Sequence, residues 1–305
     1  SGIAAAVAQA EPGAEAGILR VALALLVAGL CFRITAVPFH FYAPDVFQGT
    51  TASNAALLSF VPKIVGFVAL LRLIPLTGAT TSLDQWIPDH SARILLAVLA
   101  VATMFVGNLM ALRQVHLYRL MAYSSIAHAG YMLVGLAVGN VDLVGGTSAV
   151  LFYLAIYGLM TLGVFALLSG AGTADRPLLT DADLRGLSRL HPSIAILLAI
   201  CLFSLTGLPP TAGFLGKLNL FFAAWLEGTT LGHTLAILMA LNAAIAAWYY
   251  LRLVALMFLE PAPEAKPRRV DRMAWIAGAL CTAATVGLFL APQWLWEIVL
   301  RATGT

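Results

Sequence analysis

The sequence predicts an all-α polytopic membrane protein, and three observations predict it. Hydrophobic residues make up 61% of the 305 residues and charged residues 10%, where a soluble domain carries about a quarter charged. Mean hydropathy is +0.93. The apolar residues fall in unbroken runs of about twenty or more, which suit spanning helices and not the short alternating segments of a membrane barrel. Backbone amides cannot be left unpaired in lipid, so such runs must coil into helices.

About eight crossing segments follow in order, two of them interrupted. The first, 17–37, continues into the Pro-rich PFHFYAPDVFQG. The second, 53–75, carries Lys63 near its midpoint, and the polar loop TGATTSLDQWIPDHS leads to the third, 92–112. A basic link, RQVHLYR, precedes the fourth, 120–138, which holds His128; the fifth is 147–170. The loop AGTADRPLLTDADLRGLSRLHP ends in a proline suited to the first turn of a new helix. The sixth segment, 192–226, would be roughly 50 Å long as one helix, well beyond a bilayer core, so a break is expected at Gly207-Leu208-Pro209-Pro210. The seventh is 231–259, and after EPAPEAKPRR the eighth is 273–299. Residues 17–299 form a single transmembrane domain. Residues 1–16, without the basic start of a signal peptide, read as an N-terminal extension or a truncation boundary, and 300–305 as a tail.

Loop charge tests this count. Arg113, Arg119, Arg176, Arg185, Arg189, Lys266, Arg268, Arg269 and Arg272 fall in the loops after segments three, five and seven. Eight crossings put those loops on one side, and the positive-inside rule makes that side cytoplasmic.

Several functions are excluded. No basic patch with interleaved aromatics supports nucleic-acid binding. Cys31, Cys201 and Cys281 are isolated in apolar segments, so no iron–sulfur or zinc site is supported and all three read as small buried hydrophobes. The phosphate-loop pattern fails around Lys217, where Thr211 replaces the first glycine and Leu218 follows the lysine.

Polar residues in oil carry the functional signal. Of three lysines, Lys63 and Lys217 lie in apolar segments, although an ammonium there costs at least about 2.5–3.5 kcal/mol. Each reads as a working ionisable group, against the alternative of a side chain snorkelling to the interface. His128 shares a helical face with Ser124 and Tyr131, either as a proton-exchanging row or as a hydrogen-bonded helix contact. Arg33 and His40 bracket Pro38; Arg33 is a fixed charge, and His40 is either a relay or a structural hydrogen-bonding group. Asp45, after Pro44, reads as a helix cap in preference to an ion-pair partner. Tyr249 and Tyr250 with Trp248 read as an interfacial belt, and Gly135 with Gly139 as a weak packing signal. The two Pro/Gly-interrupted segments, around 33–45 and 207–217, each beside a basic residue, resemble the paired broken helices of two structural repeats.

Three stretches, FRITAVPFHFYAPDVFQGTTASNAALLSFVPKIVGFVALLRL, GNLMALRQVHLYRLMAYSSIAHAGYMLVGL and LFSLTGLPPTAGFLGKLNLF, resemble the subunit N (chain 2) family of proton-pumping NADH–quinone oxidoreductase, complex I. The resemblance implies an antiporter-like, inverted-repeat membrane subunit with a hydrated row of ionisable residues. It implies a proton path through the positions of Arg33, Lys63 and Lys217, with His40 on the PFH histidine, and His128 joins them as a candidate. Arg33 stands where the family usually has lysine. The family's N-terminal helices, one bearing a glutamate, are not matched. No cofactor is expected in this chain; NAD, FMN, iron–sulfur clusters and quinone are expected in partner subunits. The expected partners are other membrane subunits of complex I, the lipid bilayer and protons, in a bacterial plasma membrane. A cation/proton antiporter subunit of the Mrp type, or a membrane subunit of a related hydrogenase or photosynthetic complex, is the alternative.

Overall fold

The computed structural model describes residues 14–73, 79–82, 85–87, 90–139, 145–172, 178–262 and 270–303. Residues 1–13 of the expected extension, and Arg176, Lys266, Arg268 and Arg269 of the basic loops, lie outside the described residues.

Helix α1 (Ala14–Arg33) breaks and is followed by a short α2 (Ala43–Gln48) and then α3 (Ala52–Leu73). A small hairpin, β1 (Ala79–Ser82) and β2 (Gln85–Ile87), leads to α4 (His90–Leu112), α5 (Leu117–Val138) and α6 (Gly146–Ala171). A 3-10 turn (Asp181–Leu184) and a single-turn α7 (Leu187–Leu190) precede α8 (Pro192–Thr206), α9 (Ala212–Leu226) and α10 (Thr230–Leu259). The chain continues through α11 (Arg272–Leu290) and α12 (Gln293–Thr303). Six of these helices are long and apolar enough to cross a membrane: α3, α4, α5, α6, α10 and α11. The two remaining expected crossings are α1 and the broken pair α8/α9, which parts at the expected residues, with Pro192 opening its first half. The expected run 273–299 is two helices, because Pro292 can neither donate an amide nor tolerate a helical residue before it.

Helix α5 is the centre of the bundle, with nearly every residue from Leu117 to Val138 buried. A helix that is apolar all round must be enclosed by other helices, and small residues let the neighbours close on it. A Cβ on Gly107 of α4 would lie 2.5 Å from the Ala127 amide nitrogen, and one on Gly130 would lie 2.7 Å from that of Met104. Between α5 and α6, a Cβ on Gly146 would lie 2.0 Å from the Gly135 carbonyl. Both glycines of the GxxxG pair make this contact: the Gly139 carbonyl would lie 2.7 Å from the same Cβ and accepts from the Gly146 amide at 2.9 Å. Leu57, Val61 and Val65 of α3, Leu95 and Val98 of α4 and Trp248 of α10 point away from the bundle.

The basic loops gather at one end. The Leu117 amide donates to the Leu179 carbonyl at 2.7 Å, Asp181 to Val115 at 2.9 Å, Gly186 to Leu256 at 3.1 Å and Asp271 to Gly170 at 3.2 Å. Arg252 donates to the Gln114 carbonyl at 2.7 Å and lies 3.7 Å from Asp181. Asp45 belongs here too. The expected capping role is not what the structure shows: its carboxylate pairs with Arg119, which also reaches Gln48, while Tyr42 holds the N-cap position of α2. At the opposite end Arg93 pairs with a buried Glu227 and donates to Thr229 at 2.9 Å.

Replacing Gly107 by Val puts branched carbons into the Ala127 backbone, and backbone cannot move aside as a side chain can. The variant is expected to lose about 1–3 kcal/mol or more, read as a lower melting temperature in detergent and less protein in the membrane.

Candidate proton-conducting site

The site is built on two helix ends opened inside the bundle. At the first, α1 finishes at Arg33, and Thr35 enters the left-handed region at φ 61°, a conformation costly for a β-branched residue. The Leu30, Cys31 and Phe32 carbonyls at the end of α1 are taken by the amides of Ile34, Ala36 and Thr35, which leaves a gap at the Ile34 carbonyl in the turn. Lys63, on α3 directly after Pro62, fills that gap: its Nζ donates to the Ile34 carbonyl at 3.0 Å and to Thr35 Oγ1 at 2.8 Å. A small cavity of about 40 Å³ touches Lys63, Thr35, Arg33 and Ser125.

At the second end, α8 stops at Gly207, whose φ of 86° suits glycine, and its amide bonds back to Phe203 and Ser204. Lys217, on α9, donates to the Leu205 carbonyl at 2.8 Å and to the Thr206 carbonyl at 2.7 Å. Its Nζ also lies 5.0 Å from the centre of the Tyr131 ring, a cation–π contact. A cavity of about 170 Å³ lies beside it, lined by Thr206, Gly207, Phe221 and Met239 among others.

The two lysines therefore share one solution. Each places its amine on the carbonyl end of a half-helix, the negative end of the helix dipole, and no acidic side chain among the described residues contacts either. With exposures of 2% and 7%, neither snorkels out of the bundle.

His128 lies buried on α5, three residues after Ser125 of the Lys63 cavity and three before Tyr131 beneath the Lys217 ammonium. Its Nδ1 meets Tyr153 Oη at 2.5 Å and its Nε2 meets Tyr250 Oη at 3.2 Å, so both ring nitrogens are engaged by phenols. Tyr250 also bonds Ser124, and the Tyr157 ring stands 5.1 Å from the imidazole. The interfacial-belt reading of Tyr249 and Tyr250 fails. Both are fully buried, on the inner face of α10, and only Trp248 faces outward. The tyrosine run alone could not reveal this, because Trp248 points one way and its neighbours the other around the same helix turn. The same inner face brings in Asn108 and Asn242, which sequence reading missed. Tyr249 donates to Asn108 Oδ1 at 3.1 Å, and Asn108 Nδ2 donates to Tyr131 at 3.3 Å and to Asn242 Oδ1 at 3.1 Å. A signal was present in the sequence: Asn242 near the middle of one span and Asn108 in the last turns of another are amides in apolar runs, where an unpaired polar group is costly.

Arg33 and His40 stand apart from this cluster. Arg33 is exposed at the rim of the cavity that reaches Lys63, and among the described residues no hydrogen bond joins His40 to Lys63. His40 lies in the turn between α1 and α2, outside the helices. Burial pushes its imidazole below the ordinary histidine range, and its Nδ1 has no hydrogen-bond partner among the described residues.

Chemically, the arrangement can hold and pass protons. Two amines, an imidazole and a set of phenols and hydroxyls lie in one buried band. The described residues contain no cluster of His, Cys, Asp and Glu able to hold a metal.

Known proteins share this architecture. The profile of the family described as "NADH:quinone oxidoreductase/Mrp antiporter, TM" matches residues 5–243. A curated relative from Trichlorobacter lovleyi, described as NADH-quinone oxidoreductase subunit N, is 42% identical over 83% of this chain and 49% of its own length. This chain spans about half the length of the curated relatives it matches. Among solved structures, a chain of respiratory complex I from Thermus thermophilus is similar at TM-score 0.77 and 33% identity, over 97% of this chain and 64% of that one. A chain of the Mrp complex from Dietzia sp. DQ12-45-1b is similar at TM-score 0.81 and 21% identity, over 99% of this chain and 61% of that one, a likeness of fold alone.

Gly216 tests how tightly the imidazole is held. A Cβ there would lie 2.4 Å from the Tyr153 ring, so Gly216→Ala is expected to drive Tyr153 off His128. Nitrogen-15 spectra of histidine-labelled protein should then show His128 losing its strong Nδ1 hydrogen bond, as they should for Tyr153→Phe.

Proposed function

The chain belongs to the NADH:quinone oxidoreductase/Mrp antiporter membrane family, and on that premise we propose that it is the proton-translocating membrane subunit N of a complex I. The observation that carries this reading is the pair of buried lysines, Lys63 held by the Ile34 carbonyl and the Thr35 hydroxyl and Lys217 by the last two carbonyls of α8, with no carboxylate among the described residues beside either. An ammonium fixed by a buried carboxylate would be a static ion pair. One held by neutral dipoles keeps acceptors for its charged form and can still give up its proton to a neighbour.

Proton movement then follows from the order of the groups. Lys63 takes a proton from the end where the basic loops gather. His128 receives on one ring nitrogen and releases from the other, its two phenol partners keeping the ring oriented throughout. Lys217 holds the proton beside the second helix break and releases it toward the opposite end. Positive charges in a low-dielectric band repel, so loading one station favours release from the next. Arg33, permanently charged at the rim of the Lys63 cavity, sets the field there and carries no proton itself. His40 is the uptake-side histidine of the same path. In this reading the basic loops are cytoplasmic and the membrane is a bacterial plasma membrane. NAD, FMN, iron–sulfur clusters and quinone belong to partner subunits, and other membrane subunits of the complex are the neighbours in the bilayer. Electron transfer in those subunits supplies the energy; this chain contributes the path.

A cation/proton antiporter of the Mrp type shares the fold, and the relatives named as subunit N favour the redox-linked reading over it. Sodium-dependent proton exchange without NADH or quinone would reverse that preference. The direct test is Lys63→Ala in the assembled complex, with assembly checked on a native gel. Quinone-linked proton pumping in vesicles is expected to fall by about tenfold or more. Undiminished pumping would remove Lys63 from the mechanism, and Lys63→Met pumping normally would leave it only a helix-packing role.

A further inference from the structure

Two cavities lie one beyond the other along α3 and α5, and three aromatic rings stand between them. The outer one, of about 750 Å³, is at the end where the basic loops gather and is lined by Gln48, Thr50, Thr51, Tyr118, Ser169 and Asp271 among others. The inner one, of about 40 Å³, holds Lys63 with Thr35, Val46, Phe47 and Ser125. Ser125 lies seven residues beyond Tyr118 on α5, roughly 10 Å deeper at the helical rise of about 1.5 Å per residue.

The rings form a continuous stack of contacts from one cavity to the other. Tyr118 faces the outer cavity, and its ring centre lies 5.7 Å from that of Phe165. Phe165 in turn lies 6.1 Å from Phe47, which faces the inner cavity. All three are buried. The buried face of α3 between the two cavities is Ala55, Ala56 and Ser59, too small to fill the space, so the rings supply the bulk that closes it. Phe47 and Phe165 carry no hydrogen-bonding group, so no proton passes through them; one passes only when they part.

Phe47 belongs to α2, the six-residue helix that follows the break after α1. Ala43, Val46 and Phe47 turn toward Lys63, and Gln48 turns toward the outer cavity. On the outer side α2 is tied by the Asp45–Arg119 pair, with Arg119 also reaching Gln48 at 2.9 Å. Asp45 is largely exposed, and an exposed ion pair is a weak tie that does not by itself fix a helix in place.

We propose that Phe47 is the uptake gate of the proton path: it shuts the Lys63 chamber off from the outer cavity, and its withdrawal with α2 admits the proton that Lys63 takes. The proposal rests on the proton-translocating reading above and deepens it. Its physical sense is that a carrier open to one face at all times would exchange protons with that face whatever the rest of the assembly did. A ring that must move first makes uptake conditional on the position of α2.

The test is chemical access to Ser125, which is buried in the inner cavity. The full complex carrying Ser125→Cys is placed in inside-out vesicles, which in this reading present the basic-loop face. It is treated with iodoacetate, a small charged reagent that alkylates thiols, and carboxymethylation is read peptide by peptide by mass. Thr51→Cys, exposed in the outer cavity, is expected to label quickly and Ser125→Cys slowly. Adding Phe47→Ala is expected to speed Ser125→Cys labelling about tenfold or more, because reactivity follows the fraction of time a group is open. Adding Phe47→Leu, which keeps an apolar plug, is expected to change it little. Where Phe47→Ala does not assemble, Phe165→Ala, which thins the partition from α6, takes its place with the same expectation.

Equal rates for Ser125→Cys and Thr51→Cys with Phe47 intact overturn the proposal, as does no gain in the assembled Phe47→Ala variant. So does a matching rise at the natural Cys201, which packs against Thr282 of α11, since that would signify a general loosening of the bundle. Failure of the underlying reading looks different: Lys63→Ala would then pump normally, whatever the labelling shows. If Lys63→Ala stops pumping while Phe47→Ala leaves Ser125→Cys closed, only the gate is lost.

Discussion

An amine held away from water needs acceptors, and the rest of this structure follows from how two such acceptor sets are provided. Burying an ammonium costs several kcal/mol unless its protons are bonded. The usual remedy, a carboxylate, would lock the charge in place. Here the acceptors are the Ile34 carbonyl and Thr35 hydroxyl in the turn after α1 and the last two carbonyls of α8, available because each helix is interrupted inside the bundle. Thr35 in the left-handed region and Gly207 after α8 are the local consequences. Gly207 has a second duty, since a Cβ there would stand 2.9 Å from Lys217 Cδ.

Those openings hold only if the surrounding helices are packed tightly. Gly107 and Gly130 bring α4 onto α5, Gly135 and Gly146 bring α6 onto it from another side, and Gly216 lets Tyr153 lie flat against α9. Close backbone approach is what aligns the tyrosines. With α10 also in place, Tyr153 and Tyr250 arrive at the two nitrogens of one imidazole, and Tyr249 and Tyr131 at the two ends of one amide. The polar band is therefore a product of glycine packing as much as of the polar residues themselves.

Much of this was legible in the sequence, and the part that was not has a physical explanation. Lys63, Lys217 and the break at 207–210 stand out because a charge or a proline pair inside an apolar run has few bland explanations. His128 was legible as a polar group at mid-span, but its tyrosine partners were not. Tyr153 and Tyr250 come from helices 25 and 122 residues away in the chain, and an aromatic at mid-span reads as ordinary apolar bulk. Tyr249 and Tyr250 read from sequence as interfacial because Trp248 beside them does face outward. Asp45 was misassigned to a cap because its partner, Arg119, lies 74 residues on. Pro292 divides the last apolar run, a break that apolar length alone does not show.

If the proposed proton path operates, the two enclosed amines change protonation state while the complex turns over. Lysine-labelled complex in membranes, compared by nitrogen-15 spectroscopy at rest and frozen during NADH oxidation, examines that claim most directly. Subtraction of spectra from Lys63→Met and Lys217→Met variants assigns the two signals. Both signals are expected to move between ammonium and amine positions with turnover. Two ammonium signals that stay unchanged in every state would contradict it.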